Sequence, residues 1–388
     1  MIKKILFFSL FIIATDSFAQ AINPPEDIKT PTATSLGIYG DVPVSPYTGT
    51  TNIEVPLYSL KSLGDNLEIS LNYNSSGIQV NSVPGWVGQN WSLNAGGVIT
   101  RTVRGEHDYR YQVRNFSMDG RKLILKGYYY CYNKLNTNNW SNTTNLKNLA
   151  SEARNYTSSN DYYEMDLEPD IFTFNFLGMH GKFFLGNDGN YKIQSDTNLK
   201  VIIEEGDLRT TSFNGYAALP KDIGKITLID DKGIKYVFGK TPSETEYARP
   251  FYISDFAYHY INTGSYVRPN AWYLSEVIDL NGNVIYSFTY ERGELNATFY
   301  PDHHYYQGSC YEYDKYQQQL VVKDGTLKSF YNGTLQFPIY LKEIETFEGN
   351  RVIFNSVNHS ITPYLASDPH LSRNSLSNLP TSRGFELS

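Results

Sequence analysis

The sequence predicts an all-β protein, mainly antiparallel β-hairpins in twisted, sandwich-like sheets, with a short helical insertion. Three observations lead there. Tyr and Phe suit a pleated, half-buried surface, and the chain carries 33 Tyr and 21 Phe against 4 Met. Apolar and polar residues alternate along much of the chain, the period of a strand with one buried face. Gly, Asn and Asp, which tolerate φ > 0, punctuate those runs. Composition also bounds function. With 33 Lys+Arg against 40 Asp+Glu the net charge is −7, so no basic surface is offered to phosphates and a nucleic-acid partner is not expected.

The elements follow in chain order. Lys3 and Lys4 precede the apolar stretch Ile5 to Ala14, shorter than the ~20 residues of a membrane span. Ser17-Phe18-Ala19 fits a small-x-small cleavage site. Residues 1–19 therefore read as a signal peptide cleaved after Ala19, leaving Gln20 first; the alternative is an uncleaved buried helix. No Cys follows the site and no long apolar run recurs. The expected product is exported, to the periplasm, cell surface or medium, without a membrane span.

Residues 20–35 are Pro- and Thr-rich and read as extended, ahead of an N-terminal β domain over 36–257. Leu67, Ile69, Leu71 and Tyr73 alternate with polar residues, as do Phe172, Phe174 and Phe176. Trp91 and Leu93 share a strand face, Asn94 to Gly97 reads as a reversal, and Val98 to Arg101 as the return. Residues 106–165 turn polar and Asn-rich, an expected insertion. Within it Leu146, Leu149, Ala150 and Ala153 fall at helical spacing, with Thr144 or Asn145 as cap. Ile226 and Leu228 lead to a turn at Gly233, and Ile234, Tyr236 and Phe238 follow it.

Residues 258–388 read as a hairpin repeat region, apparently truncated. Tyr273-Leu274-Ser275-Glu276-Val277 leads to Asn281-Gly282-Asn283, and Tyr340-Leu341-Lys342-Glu343-Ile344 leads to Glu348-Gly349-Asn350 at the same spacing. Each unit is a strand, a glycine turn and a return, with the turn at Gly233 a looser relative. Such hairpins cannot bury a face alone and must stack on neighbours. Arg383 to Ser388 resembles the opening of another copy, so the expected reading is the front of a longer polypeptide or of a gene cut short.

Sites of chemistry are sparse. Cys131 and Cys310 allow one disulfide in an oxidising compartment, or two isolated buried thiols. No G-x-S-x-G, H-E-x-x-H or phosphate-binding glycine loop is present, so no catalytic residue, metal site or cofactor is assigned. Asp302-His303-His304 reads as a surface loop and Glu204-Glu205 as an acidic turn. The Asn187 and Asn281 loops lack the spaced carboxylates of a calcium site. Arg101 and Arg104 read most simply as solvated hairpin charges.

One resemblance spans most of the chain after residue 19 and is most specific over residues 31–105. Pro31, Leu36-Gly37, Gly40-Asp41, Pro43, Tyr47, Gly49, Ser76-Gly77-Ile78, Trp86, Gly88, Trp91, Asn94, Gly97, Arg101 and Arg104-Gly105 carry it, and Glu168-Pro169-Asp170 follows more loosely. The stretch resembles the start of secreted bacterial RHS/YD-repeat proteins, some labelled sugar-binding. The resemblance implies a hairpin-rich shell around a toxic C-terminus released by a self-cleaving core. This chain has no extended Tyr-Asp repeat run, no core motif and no toxin domain, so only the leading, non-enzymatic portion is implied. Its expected partners are further repeat segments or a downstream polypeptide. Trp86 and Trp91 read first as core anchors; their alternative role, stacking on cell-surface glycans, would make the chain a carbohydrate-binding module.

Overall fold

The computed structural model describes residues 51–75, 77, 85, 87–115, 122–136, 143–153, 162–206, 221–254, 266–305, 310–314, 319–323, 327–357 and 384–385. Residues 1–19, the expected signal peptide ending at Ala19, together with Gln20 and Trp86, lie outside them. The fold is all-β and mainly antiparallel, with one α-helix among the described residues. No described helix is long and apolar enough to cross a membrane.

The chain starts with a hairpin of β1 (Asn52–Ser62) and β2 (Asp65–Asn74). Leu63 and Gly64 turn it with φ 46° and 85°, the two positive angles whose twist matches flanking strands. β3 (Trp91–Asn94) adds to β2, Trp91 opposite Tyr73 and Leu93 opposite Leu71. One face of this small sheet therefore carries Ile53, Val55, Leu71, Tyr73, Trp91 and Leu93. The reversal expected after Asn94 does not form a hairpin. β4 (Gly97–Thr102) leaves β3 and enters a different sheet. Two glycines make that crossing possible: a Cβ on Gly97 would lie 2.1 Å from the Phe176 Cβ, and one on Gly96 3.3 Å from the Phe288 ring.

The polar insertion holds β5 (Tyr111–Asn115), β6 (Lys122–Lys126), α1 (Thr143–Ala153) and β7 (Tyr162–Met165). Its strands form their own sheet, with β6 and β7 parallel. The helix appears where spacing placed it, yet Leu146 is 41% exposed and only Leu149 is half-buried among its apolar residues outside the terminal turn.

Three segments then build the central sheet. They are β8 (Ile171–Phe176), β9 (Met179–Leu185) and β10 (Tyr191–Ser195); β11 (Lys200–Gly206), β12 (Asp222–Ile229) and β13 (Lys235–Phe238); and β14 (Thr245–Ser254), β15 (Arg268–Ile278) and β16 (Val284–Arg292). Glu204 and Glu205 thus sit in a bulged strand, β11, not in a turn. β17 (Asn296–Tyr305), β20 (Leu327–Phe337), β21 (Ile339–Thr346) and β22 (Arg351–Ile353) extend the sheet, while β18 (Cys310–Asp314) and β19 (Gln319–Lys323) pair alone, as do β23 (Ser356–Val357) and β24 (Gly384–Phe385). Asp302, His303 and His304 belong to β17, so the expected surface loop is a strand.

Strand β15 joins two layers. Its first half pairs with β4 and β14, its second with β13 and β16. A strand that changes sheets makes a corner. Apolar faces meet across it: Phe176 stands 4.9 Å from Tyr236 and 5.1 Å from Phe238, centroid to centroid. Phe172, Phe174 and Phe176 are all buried, as their period-two spacing requires.

The hairpins share one turn. Gly189, Gly233, Gly282 and Gly349 have φ 79°, 79°, 88° and 83°. In each, the glycine N–H donates to the carbonyl three residues back, that of Gly186, Asp230, Asp279 or Thr346. This is a three-residue loop closed by a left-handed glycine. In three of them the first side chain also serves: Asp230 Oδ1 accepts from Lys232 and Ile234 N–H, Asp279 Oδ1 from Asn281 and Asn283 N–H, and Thr346 Oγ1 from Asn350 N–H. A Cβ on Gly282 would meet nothing within 4 Å. Gly282→Ala is therefore expected to cost only the left-handed penalty, about 1–2 kcal/mol, read as a shift of the urea midpoint.

Candidate functional site

The most unusual chemistry lies at one end of the central sheet. Period two puts Arg101 on the same face as Ile99, and register sets it opposite Phe172. That face is the core, so Arg101 is not a solvated hairpin charge: its side chain is 0% exposed. The guanidinium lies 5.1 Å from the Phe172 ring and 4.9 Å from that of Trp272, a residue of β15. Asp222, first in β12, meets it with Oδ1 2.8 Å from Nη2 and Oδ2 3.3 Å from Nη1. This planar, two-point pairing suits guanidinium and carboxylate. Nε lies 3.8 Å from Asp170 Oδ2, an ion-pair distance without a hydrogen bond.

The loop after β4 supplies His107 and Asp108. Tyr109 N–H approaches His107 Nδ1 at 3.3 Å, and Nε2 faces Asp222 Oδ2 at 3.1 Å. Arg101 Nη1 packs against the same ring edge. Burial and then the Arg101 charge push the imidazole well below its ordinary pKa, so the ring is neutral. Asp108 and Asp170 are joined reciprocally. Asp108 N–H donates to Asp170 Oδ2 at 3.2 Å, and Asp170 N–H donates to Asp108 Oδ1 at 3.0 Å. Asp170 Oδ1 also accepts from Arg104 N–H at 3.1 Å. Burial raises Asp108 to about 8 and Asp170 to about 6. Burial also raises Asp222, with Arg101 opposing. Arg268, at the start of β15, is the other guanidinium here; burial lowers its pKa, and Arg101 adds to that.

Tyrosines connect this cluster to the surface. Tyr109 OH lies 3.4 Å from Tyr191 OH, and the Tyr109 ring stacks on Tyr129 at 4.3 Å. Tyr129 then meets Tyr130 at 5.2 Å, and Tyr130 meets Tyr111 at 5.3 Å. Tyr129 OH bonds Glu205, which pairs with Lys221. Arg104, unlike Arg101, is exposed and pairs with Glu168 at 2.8 Å.

The residues singled out by sequence are not brought together. Trp91 is half-buried beside Tyr73, centroids 5.1 Å apart, in the separate β1–β2–β3 sheet, whereas Arg101 belongs to the central one. Cys131 is a free, buried thiol whose Sγ donates to the Gly127 and Asp166 carbonyls at 3.1 and 3.3 Å. It takes the isolated-thiol alternative and holds no bridge to Cys310, whose side chain lies outside the described ones. Gly233, Gly282 and Gly349 occupy turns away from the cluster. Among the described residues no group of His, Cys, Asp and Glu is placed to hold a metal.

Chemically, the cluster binds four chain segments by charge: β4 with its following loop, the approach to β8, the start of β12 and the start of β15. The Arg101, His107, Asp170 and Asp222 side chains contact one another and are buried, while Arg268 stands half-buried at the edge. No family model, no curated protein and no solved structure matches this chain.

Proposed function

We propose that the chain is an exported, non-catalytic structural module, the leading portion of an RHS-type shell linked to toxin display or interbacterial competition. The observation that carries this reading is the recurrence of one glycine turn in hairpins that all join a single 14-stranded sheet. Hairpins of one design stack edge to edge, and the open edges at β10, β11, β17 and β22 each have one described partner. Edges of that kind take further strands. The resemblance over residues 31–105 supports the same reading. So does the commitment of buried charge to holding segments together.

A second reading, an extracellular carbohydrate-binding module, draws support from the small N-terminal sheet. Tyr58 is 57% exposed there, and the Tyr73–Trp91 pair lies half-buried on the same face. Aromatic faces of this kind stack on sugar rings.

Co-expression with the product of the reading frame downstream of the gene separates the two. The structural reading expects a related repeat protein that co-purifies with this chain and no retention of the chain on polysaccharide resins. A downstream frame without repeats, together with retention that Trp91→Ala abolishes, would establish the second reading instead.

A further inference from the structure

The polar insertion leaves the sheet after β4 and returns at β8, and Thr102 faces Ile171 where it departs. Asp108 sits on the outgoing stem and Asp170 on the incoming one. Their reciprocal backbone bonds tie the stems together, beside the Arg104 N–H bond to Asp170 Oδ1. Farther out, Asp166 accepts from Glu106 N–H at 2.8 Å.

Counting charge shows a surplus. Three carboxylates, Asp108, Asp170 and Asp222, are buried with one guanidinium, Arg101, and a second, Arg268, stands half-buried near them. His107 is neutral and adds nothing. Arg104 and Arg110 are spoken for by Glu168 and Glu106. An unpaired buried charge is costly, and such a group neutralises by keeping its proton. Arg101 contacts Asp222 and approaches Asp170. Asp108 has no guanidinium contact of that kind and faces the other carboxylate.

We propose that one proton kept on the Asp108–Asp170 carboxyl pair clasps the base of the insertion, and that losing it sets two buried carboxylates against each other, opens the stems and frees the insertion from the sheet. The inference is independent of the structural-module reading. The charged and titratable groups around the pair agree with it. Asp166 adds negative charge from the incoming stem, and Arg101 opposes it from β4. Tyr128 and Cys131, from the segment following β6, and Tyr191, from β10, are neutral, because burial raises each of them.

The sign of the pH dependence follows. A carboxyl with a raised pKa keeps a proton in the closed state that the open state gives up, so closure weakens as pH rises. The pair releases its protons at about 6 and about 8. His107 acts in the other direction, since its lowered pKa weakens closure only below its ordinary 6.5. The window between 6.5 and 8 therefore belongs to the carboxyl pair.

Hydrogen exchange of peptides covering 103–110 and 162–170, corrected for intrinsic rates, tests this. The opening constant is expected to rise about tenfold per pH unit across that window and then level off. Asp108→Asn copies the protonated carboxyl and keeps an acceptor for Asp170 N–H, so its opening constant should stay low and flat. Infrared spectroscopy should show a protonated carboxyl at the lower pH that Asp108→Asn lacks. A flat wild-type profile, an unchanged slope in Asp108→Asn, or no protonated carboxyl would each overturn the proposal.

Discussion

Replacing Arg101 with methionine is expected to destabilise the fold by about 3–5 kcal/mol, the cost of removing one partner from a buried ion pair. The side chain is 0% exposed and offers Asp222 two contacts at 2.8 and 3.3 Å. Methionine fills much of the space between Phe172 and Trp272 but leaves Asp222 and Asp170 without their cation. The loss is therefore electrostatic more than steric. Urea unfolding followed by tyrosine and tryptophan emission measures it. Arg101→Lys should fall between, because an ammonium keeps charge but not the planar fork. The double variant Arg101→Met, Asp222→Asn removes charge from both sides and should recover part of the loss. A single-variant cost under about 1 kcal/mol would place the pair among those worth no more than a surface contact.

Much of the framework was legible because period two is a strong signal. Phe172, Phe174 and Phe176, and Leu67 with Ile69, alternate cleanly and are buried as that alternation requires. The glycine turns were legible because a left-handed residue selects glycine. What failed was pairing across distance. Trp91 to Arg101 reads locally as a hairpin, yet β3 and β4 join different sheets. The cause is the bare backbone of Gly96 and Gly97, which lets two layers touch. Nothing in the local pattern names Phe176 or Phe288 as the neighbours.

The cluster was half legible. Asp170 continues the parity of Phe172, Phe174 and Phe176, and Arg101 that of Ile99, so both belong on a core face. A charge in phase with a buried stripe is the signal that could have found them. His107, Asp108 and Asp222 have no such marker. Arg101 and Asp222 are 121 residues apart, and only tertiary structure joins them. For Cys131 the sequence leaves a bridge and an isolated thiol equally open, and its Sγ points at backbone carbonyls inside the insertion.

Trp272 is expected to be as sensitive as Arg101, for a different reason. It stands on β15 where that strand passes from its β4 and β14 neighbours toward β13 and β16. It is 0% exposed, and its indole N–H donates to the Ile223 carbonyl at 3.2 Å, tying the corner to β12. Its ring also backs the Arg101 guanidinium. Trp272→Ala removes ring volume and the hydrogen bond together, and about 3–5 kcal/mol is the usual cost of such a truncation. Trp272→Phe keeps a ring and loses the donor, so about 1–3 kcal/mol is expected from the orphaned carbonyl. Because Trp272 and Arg101 touch, their losses should not add: once methionine replaces Arg101, Trp272→Phe has less cation–π contact left to disturb. Additive losses in that double variant would mean the corner is held by packing alone, with the charge cluster as a separate feature beside it.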